Sequence, residues 1–355
     1  MLSFLANHPI ICPNLKTVEI RIRVVDPDEV SQTTIGVFSQ AISLHNHLES
    51  LSTSVPINDV ALMHLAMSSK LKKLTLTRPP PGNSYSHQAC FPLDTTPFRN
   101  VEELCLYGWD LCFMTTLLRT EEQTFRFFTL SYNSRPTTDE LSAFLAAFAS
   151  PQRAHSLQSI TIQPCDDYDS DESPILDTSM HAYISYDTLR PLIYLSCLRR
   201  LAIDIGHWIS MDDDELISLA RNWILLEDLE LGWSQNDYGC PWRSVKYVTF
   251  KGLLSLLECC PRLRDVSLPV DAREVRIGTT TGIMCSRSLR NLSFVDSPIA
   301  DPLLVAEILA RHFPSAFISA RFNFSGGCFA EISQYELTWD QAETHFYRRK
   351  SGFRS

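Results

Sequence analysis

The sequence predicts an α/β repeat protein in which short parallel strands and helices alternate along most of the chain. Three observations predict it. A hexapeptide of fixed pattern recurs from one end to the other, the copies are spaced widely enough for one strand and one helix each, and the intervening segments carry helix-start signals.

The hexapeptide reads leucine, two residues, an aliphatic, one residue, an aliphatic. Clear copies are Leu15-Lys16-Thr17-Val18-Glu19-Ile20, Leu71-Lys72-Lys73-Leu74-Thr75-Leu76, Val101-Glu102-Glu103-Leu104-Cys105-Leu106 and Leu157-Gln158-Ser159-Ile160-Thr161-Ile162. Leu198-Arg199-Arg200-Leu201-Ala202-Ile203, Leu226-Glu227-Asp228-Leu229-Glu230-Leu231, Leu263-Arg264-Asp265-Val266-Ser267-Leu268 and Leu289-Arg290-Asn291-Leu292-Ser293-Phe294 continue the series. Weaker copies start at Leu48, Phe125 and Phe317, which gives a mean spacing of about 30 residues. A long polar side chain often takes the second place, as at Lys16, Lys72, Gln158, Arg199, Arg264 and Arg290.

Each intervening segment is read as a helix. Asn58 is placed to cap a run through Leu62, Met63, Leu65 and Ala66. Thr137 and Glu140 form a capping box ahead of Leu141, Phe144, Leu145 and Phe148, which share one helical face. Asp212-Asp213-Asp214-Glu215 opens a helix, since acids favour the positive end of the dipole. Leu253, Leu254, Leu256 and Leu257 populate another that stops at Cys260-Pro261, and Asp301-Pro302 starts a further one through Leu303, Leu304, Ile308 and Leu309.

In an extended hexapeptide, period-two alternation turns positions four and six inward and positions three, five and seven outward. One unit cannot bury its apolar face alone, and stacked units share a continuous core. The expected fold class is therefore an α/β irregular leucine-rich-repeat solenoid, with a curved parallel sheet on the concave face and helices on the convex face. Residues 1–327 are assigned to about ten or eleven irregular repeats with an acidic insert near 164–178, and residues 328–355 to a C-terminal cap or frayed tail.

The Cys-Pro-x-Leu lead-ins at 12–20 and 260–268 resemble those of fungal (basidiomycete-type) F-box proteins with irregular leucine-rich repeats. Val248-Thr249-Phe250-Lys251-Gly252-Leu253-Leu254-Ser255-Leu256-Leu257-Glu258-Cys259-Cys260-Pro261-Arg262-Leu263 is similar to that family, as is Ala306-Glu307-Ile308-Leu309-Ala310-Arg311-His312-Phe313-Pro314. The resemblance spans roughly residues 10–325 and implies a ubiquitin-ligase substrate receptor. Met1 stands close to the first repeat, so the chain is expected to lack the F-box itself. It is then an incomplete version or a repeat-only relative, and a Skp-type adaptor is a partner only where an F-box lies upstream.

Composition narrows the function. Of 41 acids, six (Asp166, Asp167, Asp169, Asp171, Glu172, Asp177) lie in one base-free stretch and four at 212–215; the remainder matches the 31 bases. No basic stripe remains, which excludes nucleic acid as the main partner. Asp167-x-Asp169-x-Asp171 imitates half a calcium loop but lacks its glycine and final acid, so the segment reads as a solvated acidic insert in which Ser170 and Ser173 are candidate phosphorylation sites. Eleven cysteines without a C-x-x-C pair suggest reduced thiols in cytoplasm or nucleus, with Cys105, Cys112 and Cys259 in apolar repeat positions. Cys259-Cys260 reads as a buried helix end, His45 and His47 as a surface or loop pair, and Arg348-Arg349-Lys350 as a frayed terminus. No apolar run is long enough to span a membrane.

No nucleotide-binding, zincin or nucleophile-elbow signature occurs, and no catalytic residue, cofactor or metal is expected. The reading is a non-enzymatic protein-recognition scaffold; its rival is an enzyme whose residues converge from separate loops in a deep pocket. The outward positions of the C-terminal strands supply the candidate protein-binding residues: Asp204, Asp228, Glu230 and Asp265 as an acidic patch, with Trp208 and Trp233 as aromatic anchors at its rim. Arg200 and Lys246 are the bases near enough to neutralise it.

Overall fold

The structure, a computed structural model, describes residues 14–21, 30–78, 96–118, 123–149, 151–165, 183–232, 246–275, 288–295, 297–321 and 329–352. The acidic insert, Ser170, Ser173 and Trp233 lie outside the described residues. The chain packs as two compact units, Met1–Pro136 with Ala146–Tyr168, and Thr137–Leu145 with Asp169–Ser355.

In the first unit the strands are β1 (Thr17–Ile20), β2 (Ser50–Thr53), β3 (Lys73–Thr77), β4 (Glu103–Tyr107), β5 (Phe127–Tyr132) and β6 (Ser159–Pro164), each paired parallel to the next in chain order. The second unit carries β7 (Tyr183–Ser185), β8 (Arg200–Ile203), β9 (Trp208–Ser210), β10 (Asp228–Leu231), β11 (Val248–Thr249), β12 (Asp265–Leu268), β13 (Val270–Asp271), β14 (Asn291–Val295) and β15 (Phe317–Arg321). Here β8, β10, β12, β14 and β15 form the main parallel ladder, while β7 pairs with β9 and β11 with β13 in two small side ladders. This is the leucine-rich-repeat fold that the hexapeptides require.

Register follows the hexapeptide. Leu51, Leu74, Leu104, Phe128 and Ile160 are successive partners at position four, as are Leu201, Leu229, Val266, Leu292 and Ile318 in the second unit. Their side chains are buried to within 2% of full burial, and each fully buried aliphatic contributes about 1.5–3 kcal/mol. Only the last copy is displaced from its predicted place. Phe317 pairs with Asn291 and so occupies position three, where it is 58% exposed. The copy begins at Ser315, not Phe317, because a serine stands where the pattern expects leucine.

At position two the carbonyl of one repeat accepts two N–H groups from the next. Lys16 O receives Glu49 N and Ser50 N at 2.8 and 3.0 Å, and Arg199 O receives Glu227 N and Asp228 N at 2.7 and 3.0 Å. Where it occurs, this forked bond fixes the start of the strand and brings the position-two side chains side by side. The long polar residues noted there meet acids: Lys16 with Glu49 at 2.8 Å, Arg126 with Glu102 at 3.5 Å, and Arg199 and Arg264 with Glu227 at 2.9 and 3.3 Å. Exposed pairs of this kind add little stability but favour the correct neighbour.

The longer helices are α1 (Gln32–Ser43), α2 (Asp59–Ala66), α3 (Leu111–Leu117), α4 (Thr138–Phe148), α5 (Asp213–Ala220), α6 (Phe250–Cys259), α7 (Pro302–His312) and α8 (Phe329–Gly352), beside single turns at Pro151–Ala154, Tyr186–Leu189 and Arg190–Tyr194. Short side-chain caps start them: Asn58 for α2, the Thr137–Glu140 box for α4, the Asp212–Glu215 box for α5 and Asp301 for α7. Leu141, Phe144, Leu145 and Phe148 are all buried, as the shared face predicts. Leu303 is an exception at 55% exposed, because the core-facing stripe of α7 falls on Val305, Ala306, Ile308 and Leu309.

Several cysteine and histidine assignments change. Cys105 sits half-buried on the outward strand face, Cys112 is exposed and Cys259 is half-buried, while Cys260 is the buried thiol of the pair. Burial pushes Cys260 up to about 12, which keeps it protonated and inert. His45 is buried and only His47 is exposed. The C-terminal Arg348-Arg349-Lys350 is helical, not frayed: it continues α8, and Lys350 Nζ donates to Ala316 O at 3.1 Å.

Three of the four acids at 212–215 have structural tasks, Glu215 closing the capping box by accepting Asp212 N at 2.9 Å. Asp212 caps its own helix, and Asp213 reaches the next one, its carboxylate accepting Thr249 N and Thr249 Oγ1 at 2.7 Å each. A Cβ on Gly252 would come within 2.1 Å of Asp213 Oδ1. Gly252→Ala is therefore expected to destabilise the protein by about 1–3 kcal/mol through overpacking, against the gain alanine usually brings to a helix. In an Asp213→Ala background the same change becomes neutral or stabilising; chemical denaturation of the four variants in a double-mutant cycle checks this.

Candidate protein-binding face

The outward positions of the second unit's strands form two adjacent rows. Position three carries Arg200, Asp228, Asp265, Asn291 and Phe317 in register, and position five carries Ala202, Glu230, Ser267, Ser293 and Ser319. The parallel register thus places Asp228 directly beside Asp265, with Glu230 two residues along the same strand. Adjacent strands lie about 4.8 Å apart, so these carboxylates are close neighbours in the sheet.

Compensation of this acidic row is incomplete. Arg200 Nε lies 3.3 Å from Asp228 Oδ2, and the Asn291 side-chain amide donates to Asp265 Oδ1. Burial raises the Asp228 carboxyl above the ordinary aspartate range; Arg200 opposes that rise, and Asp265 and Glu230 add to it. The environment therefore disfavours the Asp228 charge despite its ion pair. Lys246 is committed elsewhere, to Glu215 at 2.8 Å and Asp212 at 3.2 Å.

Of the six predicted binding residues, the structure brings Asp228, Glu230 and Asp265 together. Asp204 stands just past the end of β8, four residues from Arg200, the register partner of Asp228, or about 13 Å of extended chain. Its Oδ1 accepts Gly206 N at 3.1 Å in a turn. Trp208 is not a surface anchor: it is 5% exposed, because β9 pairs with β7 and carries the indole into the interior.

Reading only the acids missed their surroundings. Arg199, Glu227, Arg264 and Arg290 line position two immediately before the acidic row, a row of net positive charge in which Glu227 pairs with Arg199 and Arg264. In the first unit, Phe127 at position three is 40% exposed under the Arg126 guanidinium at 5.6 Å, and Tyr107 at position seven is 41% exposed. The signal for both was the same outward-position rule, applied to the N-terminal copies.

An apolar cavity of about 10 Å³, room for roughly one water, is lined by Ile209, Met211, Leu231, Tyr247, Val248, Leu268 and Pro269 and holds no histidine, thiol or carboxylate. A shallow groove on α8 is lined by Asp340, Glu343, Thr344, Tyr347, Arg348 and Ser351. Among the described residues no three His, Cys, Asp or Glu side chains converge to hold a metal ion, and no helix is long and apolar enough to cross a membrane.

No protein-family model matches the sequence, and no curated protein does. Among solved structures, the chain is similar to one from the crystal structure of the Rad7 and Elc1 complex in yeast, with 12% sequence identity and a TM-score of 0.43, over 93% of this chain and 86% of that one.

The raised carboxyl of Asp228 has a consequence for stability. Its ionised form is less favourable folded than unfolded, so its charge costs stability above its folded pKa, and the cost disappears as pH falls below the unfolded value of about 3.9. Asp228→Asn is expected to raise stability slightly at pH 7, by about 0.5 kcal/mol for a partly exposed site, with the gain vanishing near pH 3. Denaturation midpoints of both proteins across that range measure it.

Proposed function

We propose that this chain is a non-enzymatic protein-recognition scaffold, the counterpart of the substrate-binding repeat region of a fungal F-box protein, working in the cytoplasm or nucleus. The repeat-family resemblance of residues 248–263 and 306–314 supports the kinship. On that reading its role is to select substrates for a ubiquitin ligase, a Skp-type adaptor being a partner only where an F-box lies upstream of the repeats.

The observation that carries the recognition role is the row of Asp228, Asp265 and Glu230. These side chains do not serve the core, Asp265 and Glu230 add to the burial-driven rise of the Asp228 carboxyl, and among the described residues Arg200 is the arginine paired with them. A cation supplied by a partner opposes that rise. Charge-led contacts act mainly on specificity and encounter rate, so binding is expected to weaken as salt rises. The bordering Arg264 and Arg290 favour a partner segment whose basic residues are followed by an acid.

The test is affinity purification from the native host with the parent chain and with Asp228→Lys/Glu230→Lys, both checked for equal folding by circular dichroism. Recovery of a protein with the parent at least about tenfold better than with the double variant is expected, from loss of two close charge contacts. Equal recovery overturns the assignment of this face.

A further inference from the structure

β15 ends the strand order, with β14 on one side and, among the described residues, no strand on the other. Such an edge presents unpaired N–H and C=O groups and recruits further strands unless it is protected. In β15 the Phe317 N–H points to β14, bonding Arg290 O at 2.6 Å, so the outward groups belong to Ala316, Ile318 and Ala320.

Those groups are taken by side chains of α8. Glu343 Oε1 accepts Ala320 N at 2.6 Å; the Tyr347 hydroxyl accepts Ile318 N and donates to Ile318 O, both at 2.9 Å; Lys350 Nζ donates to Ala316 O at 3.1 Å. Residues 343, 347 and 350 fall on one helical face, and their partners descend from 320 to 318 to 316. The helix therefore runs antiparallel to the strand. Seven residues of helix rise about 10 Å and four residues of strand about 13 Å, so the two elements keep step across all four bonds.

A second set of residues holds the helix down. Trp339, Ala342 and Phe346 are fully buried, Trp339 stacks on Phe294 with ring centroids 4.4 Å apart, and Trp339 Nε1 donates to Ser297 O at 2.7 Å. Anchoring and edge-binding are thus separate tasks on neighbouring faces of one helix. The exposed Phe317 ring, 6.1 Å from the Tyr347 ring, marks the apolar surface beside the protected edge.

We propose that the Glu343–Tyr347–Lys350 row acts as a surrogate strand that blocks a second copy of this chain from adding to β15. The row spends the hydrogen-bonding groups of the edge without presenting an edge of its own. A chain stripped of it displays a strand with free amides and carbonyls next to an exposed phenylalanine, which is a self-association site.

The test uses the full chain carrying Glu343→Ala/Tyr347→Phe/Lys350→Ala, which leaves the three anchors intact. Hydrogen exchange at Ile318 and Ala320 is expected to quicken at least about tenfold, and light scattering behind size exclusion is expected to show mass rising with concentration beyond that of the parent. Arg349→Ala, outside the row, should leave both readouts unchanged. Parent-like exchange, or faster exchange with parent-like mass at every concentration, overturns the proposal. Should the triple variant unfold, Tyr347→Phe decides: it keeps the ring, and it must speed exchange at Ile318 and increase association, or the proposal falls.

Discussion

Parallel pairing of like with like is the constraint on which the structure depends. In most repeats the position-two carbonyl receives two N–H groups from the following repeat, as at Lys16, Glu49, Lys72, Glu102, Arg126, Arg199, Glu227 and Arg264, and every later residue of the strand is then placed beside its equivalent. A slip by one residue would turn Leu201 and Leu229 to solvent and their charged neighbours into the core. The hydrophobic positions and the forked backbone bond thus enforce the same register from opposite sides of the strand. Side-chain caps such as the Asp212–Glu215 box start the helices that follow, and Asp213 links one repeat to the next through Thr249.

That constraint also dictates the chemistry of the outward face. When equivalents stack, a column of residues must either alternate in sign or accumulate charge. Position two largely alternates in the first unit, running Lys16, Glu49, Lys72, Glu102, Arg126. Position three in the second unit does not, since Asp228 and Asp265 adjoin. A face selected only for stability would avoid that juxtaposition, as like charges directly opposed cost energy. On the proposed reading, recognition and not folding sets the choice of these two residues. The end of the stack poses a different problem, solved by side chains in place of a strand, with Tyr347 serving as both donor and acceptor for one residue of β15.

Most of the strand register was legible in the sequence because leucine spacing and alternation are local signals. The copies from Leu15 to Leu289 stand where the pattern puts them, and even the weaker starts at Leu48 and Phe125 fall into line. The last copy slid by two residues because Ser315 fills the leucine position and Phe317 imitates it. Asp228, Glu230 and Asp265 were readable as neighbours for the same reason. Trp208 was not: its burial depends on pairing between two three-residue strands that carry no hexapeptide signal. Cys105 was misplaced by treating a small apolar residue as inward when its position, five, faces outward. The edge-binding row on α8 was equally hidden, because Glu343, Tyr347 and Lys350 look like ordinary surface residues until β15 is placed beside them.

The central claim, in-register parallel stacking, is most directly tested by disulfide trapping between neighbouring repeats. Ser267 and Ser293 are register partners, at a separation within the 4.4–6.8 Å Cα range a disulfide spans. Ser267→Cys/Ser293→Cys should cross-link readily under mild oxidation, with the linked peptide identified by mass spectrometry. Ser267→Cys/Asn291→Cys, displaced by two residues and about 8 Å apart, should not. Preferential trapping of the displaced pair, or equal trapping of both, would contradict the account.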